Sequence, residues 1–393
     1  MNTNTTNAET TVRRIFILRP DNLGDVVLFS GALLHIRQHY PQATITLCVK
    51  RYALNYLELC PYIDRLICWE DLRYNLTECP TLDRFPKFRG QWRLQMWLRA
   101  ITRQVIRLRY RTDVLLVPVR SPNPTIHAIT RLIPAKTKIS IAGDFCNQTQ
   151  IEDQLAERIY TRRLRLTQER YAEHEIIVTQ EFLKFIGIKV DKDTLWPEVW
   201  TEKKDRSWGY KAIQSIDSNI IILGIAPGVR SKPRNAIPGL WFRKVINSLS
   251  QKEFQVAIFG SKEEFEICNE VSRELNQCSN VKKIINYAGK TTIRQMIEGL
   301  RKCDIIVTQD TAALHLAVAL HKPTVGIMGG GHYGRFYPWG DPEINRVVNK
   351  NMDCYFCNWH CKYDIARCIQ EIPYKKASDE IKFLLDNYGS PKC

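Results

Sequence analysis

One pattern limits the fold more than any other: short β-branched strands alternate with helices, the series stops, and it then begins again. Arg14–Leu18 reads as a strand ended by Arg19-Pro20-Asp21-Asn22, and the apolar positions from Val26 to Ile36 read as a helix ending before Tyr40-Pro41. Thr44–Val49, Leu66–Cys68 and Asp113–Pro118 continue as strands. The series restarts with strands at Asn219–Ala226, Gln255–Gly260, Asp304–Thr308 and Thr324–Met328. Helices are expected around Trp241–Leu249, Lys262–Leu275, Ile293–Arg301 and Ala312–Ala319. Strands alternating with helices argue for parallel α/β sheets. Two such series, joined by the polar run Thr201–Asp205, predict two Rossmann-like domains with parallel sheets facing a central cleft. The expected division is a disordered N-terminus over 1–12, a first domain over 13–200 and a linker over 201–218. A second domain over 219–350 and a Cys-rich segment with a tail helix over 351–393 complete it.

At 393 residues the chain is too long for one core, which agrees with two domains. No window approaches the ~18 uninterrupted apolar residues of a membrane span. The first twelve residues lack the basic start and apolar core of a signal peptide, so a cytoplasmic protein is expected. The net charge of +16 points to partners bearing phosphate groups. Much of it lies in Arg84–Arg111, where nine basic residues occur with no acidic one. Leu94, Leu98, Ile101, Val105 and Leu108 follow helical spacing there, with Trp92 and Trp97 beside them. This reads as a basic amphipathic helix, lying either on an anionic membrane surface or with its apolar stripe against its own sheet. RNA-binding signatures are missing, so nucleic acid is not an expected partner.

Four motifs could carry chemistry. Asn22-Leu-Gly-Asp25 follows the first strand, placing Asp25 at the carboxyl edge of the sheet as either a general base or a helix cap. Pro227–Asn235 packs Arg230, Ser231, Lys232 and Arg234 into a loop suited to a diphosphate, without the spacing of a P-loop. In Gln309–His315, Asp310 or Thr311 would cap an Ala-rich helix whose free N–H groups face the cleft, with His315 one turn on. Met328–Arg335 holds three consecutive glycines that permit close backbone approach to a ligand, with His332 and Arg335 able to bind anions, or else it is a flexible turn.

Together the segments NLGDVV (22–27), APG with its basic loop (226–234), FGSKEE (259–264), YAGKTTIRQM (287–296) and DTAALHLAVAL (310–320) resemble glycosyltransferase family 9, the ADP-heptose:lipopolysaccharide heptosyltransferases. The resemblance runs in order from about residue 13 to 345. It implies a GT-B fold whose first domain binds the acceptor and whose second binds a nucleoside-diphosphate sugar, with ADP-heptose the expected donor. It implies an inverting transfer with Asp25 as the catalytic base. Ser231, Lys232 and Arg234 would bind the diphosphate, Glu264 or else its neighbour Glu263 the ribose, and Asp310, Thr311 and His315 the diphosphate and sugar. Contacts from Gly330, Gly331 and His332 are also expected, and no metal is required for catalysis. The acceptor would be lipopolysaccharide or another bacterial surface glycan, reached from the cytoplasmic face of the inner membrane. Three departures stand out: Arg234-Asn-Ala-Ile-Pro238 in place of K-R-W-P, Ala312 in place of the motif's Gly, and Gly329–His332 in place of F-G-P-T.

Thirteen cysteines in a chain expected to be cytoplasmic do not suggest a disulfide framework. Cys354, Cys357, Cys361 and Cys368 fall within fifteen residues, a spacing that suits structural Zn or Fe, or else four packed thiols. The cluster resembles the cysteine-liganded iron of autotransporter-glycosylating family members, so a protein acceptor is the second reading. A catalytically silent basic protein that binds membrane or nucleic acid is the third.

Overall fold

A computed structural model describes residues 12–77, 104, 108–217, 219–228 and 235–388. The first sheet contains β1 (Arg14–Leu18), β2 (Thr44–Val49), β3 (Arg65–Cys68), β4 (Thr112–Val117), β5 (Ala135–Ala142) and β6 (Arg162–Arg165). The second contains β7 (Ile221–Ala226), β8 (Phe254–Ile258), β9 (Val281–Asn286), β10 (Ile305–Gln309), β11 (Thr324–Met328) and β12 (Asn345–Asn349). Their orders are β3-β2-β1-β4-β5-β6 and β12-β11-β10-β7-β8-β9, and every neighbouring pair is parallel. Numbered from its own first strand, each sheet has the same order, and each reverses direction of winding between its first and fourth strands. Ligands of open α/β sheets bind outside the carboxyl ends of the strands at that reversal. The positions that matter are therefore the exits of β1 and β4 in one domain and of β7 and β10 in the other.

The four strands that the alternation did not reveal are β5, β6, β9 and β12. Two of these, β6 (RRLR) and β9 (VKKIIN), are sheet edges that carry cations, as exposed edges commonly do. Charge hides the strand signal there, whereas β10 and β11 are buried throughout and read clearly.

The two domains are pressed together. Helix Leu23–His39 of the first packs against helix Ala312–Ala319 of the second, and one apolar core runs from Leu33 and Ile36 to Leu316 and Leu320. The stretch expected as a linker is itself ordered: Lys203–Ala212 is a helix packed on helix Ile293–Lys302. A capping box between Glu202 and Asp205 starts it. At the C-terminus, helix Tyr374–Tyr388 returns to the second domain, where Ala377, Ile381 and Leu384 join Trp241 and Phe242 in its core. Most of the basic stretch at 84–111 lies outside the described residues.

Candidate functional site

The exit of β1 carries the first half of the site. Asn22 is the N-cap of helix Leu23–His39 and Asp25 is its third residue, with the Asn22 N–H donating to Asp25 Oδ2 at 3.2 Å. Asp25 is thus both a capping-box partner and a carboxylate in the cleft. Burial is the largest influence on it, followed by the charge of Asp21; Arg19 opposes both, and the carboxyl is pushed up to about 7. A carboxyl near 7 is matched to proton abstraction at neutral pH.

Behind Asp25 lies a buried charge network. Arg19, 1% exposed, pairs through Nε with Asp21 (3.0 Å) and through Nη2 with Glu175 (2.9 Å), and Nη2 also donates to the Asp25 carbonyl at 3.4 Å. Glu175 pairs in turn with Arg120 Nε at 3.1 Å. Burial would raise the Glu175 carboxyl, but Arg120 and Arg19 hold it below its ordinary value. Arg335, from the loop after β11, crosses the cleft and pairs with Asp144 at 2.5 Å. Each buried charge thus has an opposite partner, the condition for keeping an ion pair in a protein interior.

The exit of β10 carries the second half. Thr311 occupies the N-cap of helix Ala312–Ala319 but makes no side-chain cap bond; its Oγ1 lies 3.3 Å from Thr308 Oγ1. The first-turn N–H groups of that helix and its positive dipole end are left for an anion. Trp339 Nε1 donates to His315 Nδ1 at 3.0 Å, so the His315 proton sits on Nε2, which faces Asp310 Oδ1 at 3.8 Å. Burial lowers His315 to about 3 and raises Asp310 to about 6. His315 is therefore a neutral N–H donor at physiological pH. Gly24 allows the two halves to meet, because a Cβ there would stand 2.9 Å from His315 Cδ2.

Glu264 lies where β7 and β8 end. Its Oε2 accepts from the Ser261 N–H at 2.7 Å, and its carboxyl packs over Gly228, where a Cβ would come within 2.4 Å of Glu264 Cδ. Ser231, Lys232 and Arg234 lie outside the described residues. The far end of their loop is held by Gln309, which donates to the Asn235 carbonyl at 2.9 Å and accepts from the Ile237 N–H at 3.2 Å.

Gly330 and Gly331 are packed on the side where a side chain would stand. A Cβ at Gly330 would meet the Tyr355 ring at 2.2 Å, and one at Gly331 the Trp359 ring at 2.5 Å. Their carbonyls accept from Phe356 and Asn358, and the Gly330 N–H donates to Cys368 Sγ at 3.3 Å. The glycines thus allow close packing under the Cys-rich segment. His332 sits between the rings of Phe336 and Trp359. Cys354, Cys357 and Cys361 are partly exposed and Cys368 is buried. Burial raises the Cys368 thiol first, and the other three thiols add to the effect, so the four are electrostatic neighbours. Among the described residues no three His, Cys, Asp or Glu side chains are arranged to hold a metal ion.

Arg19, Asp21, Arg120, Asp144 and Glu175 were not singled out by the sequence. Arg19 did carry a signal, as an arginine closing an otherwise apolar strand. Glu175 carried none, because it lies 156 residues from the Arg19 it pairs with. A concavity of about 770 Å³, lined by Arg13, Arg14, Lys136 and Asp113 among others, opens at the amino ends of the first sheet's strands, opposite the site.

Residues 128–359 match the family model described as glycosyltransferase family 9 (heptosyltransferase). Lipooligosaccharide heptosyltransferase 2 of Campylobacter jejuni is 30% identical over 168 residues, 42% of this chain and 51% of that protein. The chain thus spans about half the length of that curated relative in the match. The crystal structure of a family 9 glycosyltransferase from Veillonella parvula covers 95% of this chain and 98% of its own, at TM-score 0.70 and 19% identity. The structure of Escherichia coli ADP-heptose LPS heptosyltransferase II covers 96% and 100%, at TM-score 0.64 and 18% identity. These structures share the fold, which is the two-domain GT-B arrangement.

Proposed function

The chain belongs to glycosyltransferase family 9, and from that premise we propose that it moves a heptose or related sugar from a nucleoside-diphosphate donor, ADP-heptose first among them, to a lipopolysaccharide or similar surface-glycan acceptor. The observation that carries this reading is the pairing of the two sheet reversals. A carboxyl at about 7 stands at one, and an uncapped helix N-terminus with a neutral His315 stands at the other.

Asp25 takes the proton from an acceptor hydroxyl as its oxygen bonds to the anomeric carbon. The bond from that carbon to the diphosphate breaks in the same displacement, and its electron pair leaves on the diphosphate oxygen. One displacement inverts the anomeric centre. The developing charge falls to the N-terminus of helix Ala312–Ala319 and to Ser231, Lys232 and Arg234, dipole and cations acting without a metal. Glu264 takes the ribose hydroxyls, and His315 donates from Nε2. The test is direct: Asp25→Asn should stop transfer while leaving nucleotide binding near its original strength, and undiminished turnover in that variant would sink the mechanism.

Two further proposals belong to the same reading. The basic stretch at 84–111 is the contact with an anionic membrane at the cytoplasmic face of the inner membrane; among the described residues no helix is long and apolar enough to cross one. Sedimentation with anionic vesicles, compared with neutral ones, checks this. The spacing of Cys354, Cys357, Cys361 and Cys368 supports a structural Zn or Fe site, although the four side chains are not arranged around a common point for one; metal analysis near one atom per chain checks it. No step of transfer is routed through that metal.

A further inference from the structure

The two ring nitrogens of His315 have unlike neighbours. An indole N–H donates and never accepts, so the 3.0 Å bond from Trp339 Nε1 makes His315 Nδ1 an acceptor. Nε2 lies instead beside Asp310 Oδ1, at 3.8 Å and beyond hydrogen-bond distance, and a Cβ on Gly24 would stand 3.4 Å from it. The loop that brings Trp339 is fixed to the helix that carries His315. Tyr337 is fully buried with Leu314, Val318 and Met328, and its hydroxyl donates to the Arg346 carbonyl at 2.9 Å. Trp196, from the segment joining the domains, packs edge-on to Trp339 with ring centres 5.3 Å apart. It also stacks on His321 at 4.5 Å and donates from Nε1 to the Ala319 carbonyl at 3.3 Å. Trp339 is thus seated against helix Ala312–Ala319 independently of its bond to His315.

We propose that Trp339 is a positioning residue that acts through His315: its N–H keeps the proton off Nδ1, so that Nε2 offers a donor to the nucleotide sugar whatever the charge on Asp310. The inference rests on the reading that the exit of β10 receives the diphosphate and sugar of that donor. The other arrangement of the ring shows why such a residue is needed. A neutral imidazole has one N–H and one lone pair, and a proton on Nδ1 would leave the Nε2 lone pair facing Asp310 and an anionic ligand. Asp310 selects the right arrangement by attraction only while it is ionised, and burial pushes it up to about 6. An anion bound beside it raises it further, since a like charge disfavours the ionised form. Asp310 is therefore least able to hold the ring's proton in place when the donor arrives. The Trp339 N–H does not titrate, and it holds Nδ1 as an acceptor throughout.

The test reads the nitrogens directly. In protein labelled with ¹⁵N in its histidine rings, the His315 signals are those lost in His315→Gln. At about pH 5, Asp310, at about 6, is mostly protonated and His315, at about 3, is still neutral. There the native chain should show Nε2 protonated and Nδ1 unprotonated. Trp339→Phe should move the Nδ1 signal toward its protonated position. Benzothienylalanine at position 339, which keeps the indole shape without the N–H, should do the same and guards against a loop disturbed by the smaller ring. Asp310→Asn should leave both signals where the native chain has them. His174, which also acts on His315, is common to all of these chains. Affinity for ADP-heptose, measured by calorimetry, should fall about three- to tenfold in Trp339→Phe, the worth of one neutral hydrogen bond. An Nδ1 signal unmoved by either replacement of Trp339, or moved by Asp310→Asn instead, overturns the inference. So does an unchanged affinity where the signal has moved. A native chain that does not bind ADP-heptose overturns the donor reading, while the ring nitrogens still report whether Trp339 holds the proton in place.

Discussion

Two arginines reach from the second domain into the first, and they do so for different ends. Arg294, on helix Ile293–Lys302, is buried against Glu58 (2.7 Å), Asp205 (3.0 Å) and Glu202 (3.2 Å), and it donates to the Asn55 carbonyl at 3.2 Å. Its guanidinium is surrounded by acceptors, and no residue of the candidate site is among them. Arg335 has one carboxylate partner, Asp144, and its Nε–H is buried with no hydrogen-bond partner among the described residues. Both arginines join the domains, but only the undersaturated one acts electrostatically on Asp25. Saturation marks the structural contact, because an incompletely satisfied buried charge costs stability and persists where something else depends on it.

The largest expected effect separates the two surroundings outright. Asp25→Asn should lower transfer by about 10²–10⁴-fold, the usual worth of a general base, while Asp205→Asn at the clasp should leave turnover within a few-fold; initial rates of nucleotide release compare them. Next, Arg294→Met should destabilise the chain by about 3–5 kcal/mol, since it strands the buried Asp205. Denaturant unfolding measures that loss, and the titration midpoint of the Asp25 carboxyl should not move. Equal midpoint shifts from Arg294→Met and Arg335→Met would erase the distinction between them.

A smaller effect has a definite sign. Asp25 titrates at about 7 in the folded chain against an ordinary 3.8, so the folded state holds the proton more tightly than the unfolded state does. Its contribution to stability is full below pH 4 and is lost as pH rises toward 7. Asp25→Asn escapes that loss and should be more stable than the native chain by an amount that grows from pH 4 to 7 and reaches at most about 4 kcal/mol. Melting temperatures across that range check it. The smallest effect concerns the loop that carries Arg335. Gly331→Ala forces a methyl against the Trp359 ring and should cost about 1–3 kcal/mol, exposing the Cys-rich segment to hydrogen exchange while leaving the Arg294 clasp protected.

What the sequence made legible follows from where its signals are local. The exits of β1 and β10 were found because Asp25, Asp310, Thr311 and His315 sit within a few residues of clear apolar strands and helices. The packing of Gly330 and Gly331 was not legible in the same way, because the rings that need their missing side chains, Tyr355 and Trp359, come from a later segment. Of the charge network only Arg335 was singled out, as an anion binder; its partners were not legible, because Arg19, Glu175, Arg120, Asp144 and Arg335 meet only through the folding of both domains. Lys203–Ala212 was read as a join because its charged residues outnumber its apolar ones; packing on Ile293–Lys302 makes it a helix.

The central claim is that Asp25 drives sugar transfer from a nucleotide donor at this cleft. Incubating the native chain and Asp25→Asn with ADP-heptose and a heptose-deficient lipopolysaccharide tests it most directly, following ADP release together with the mass of the acceptor. The account predicts ADP release matched by the gain of one heptosyl unit for the native chain, and neither for the variant. No transfer by the native chain, or equal transfer by both, would contradict it.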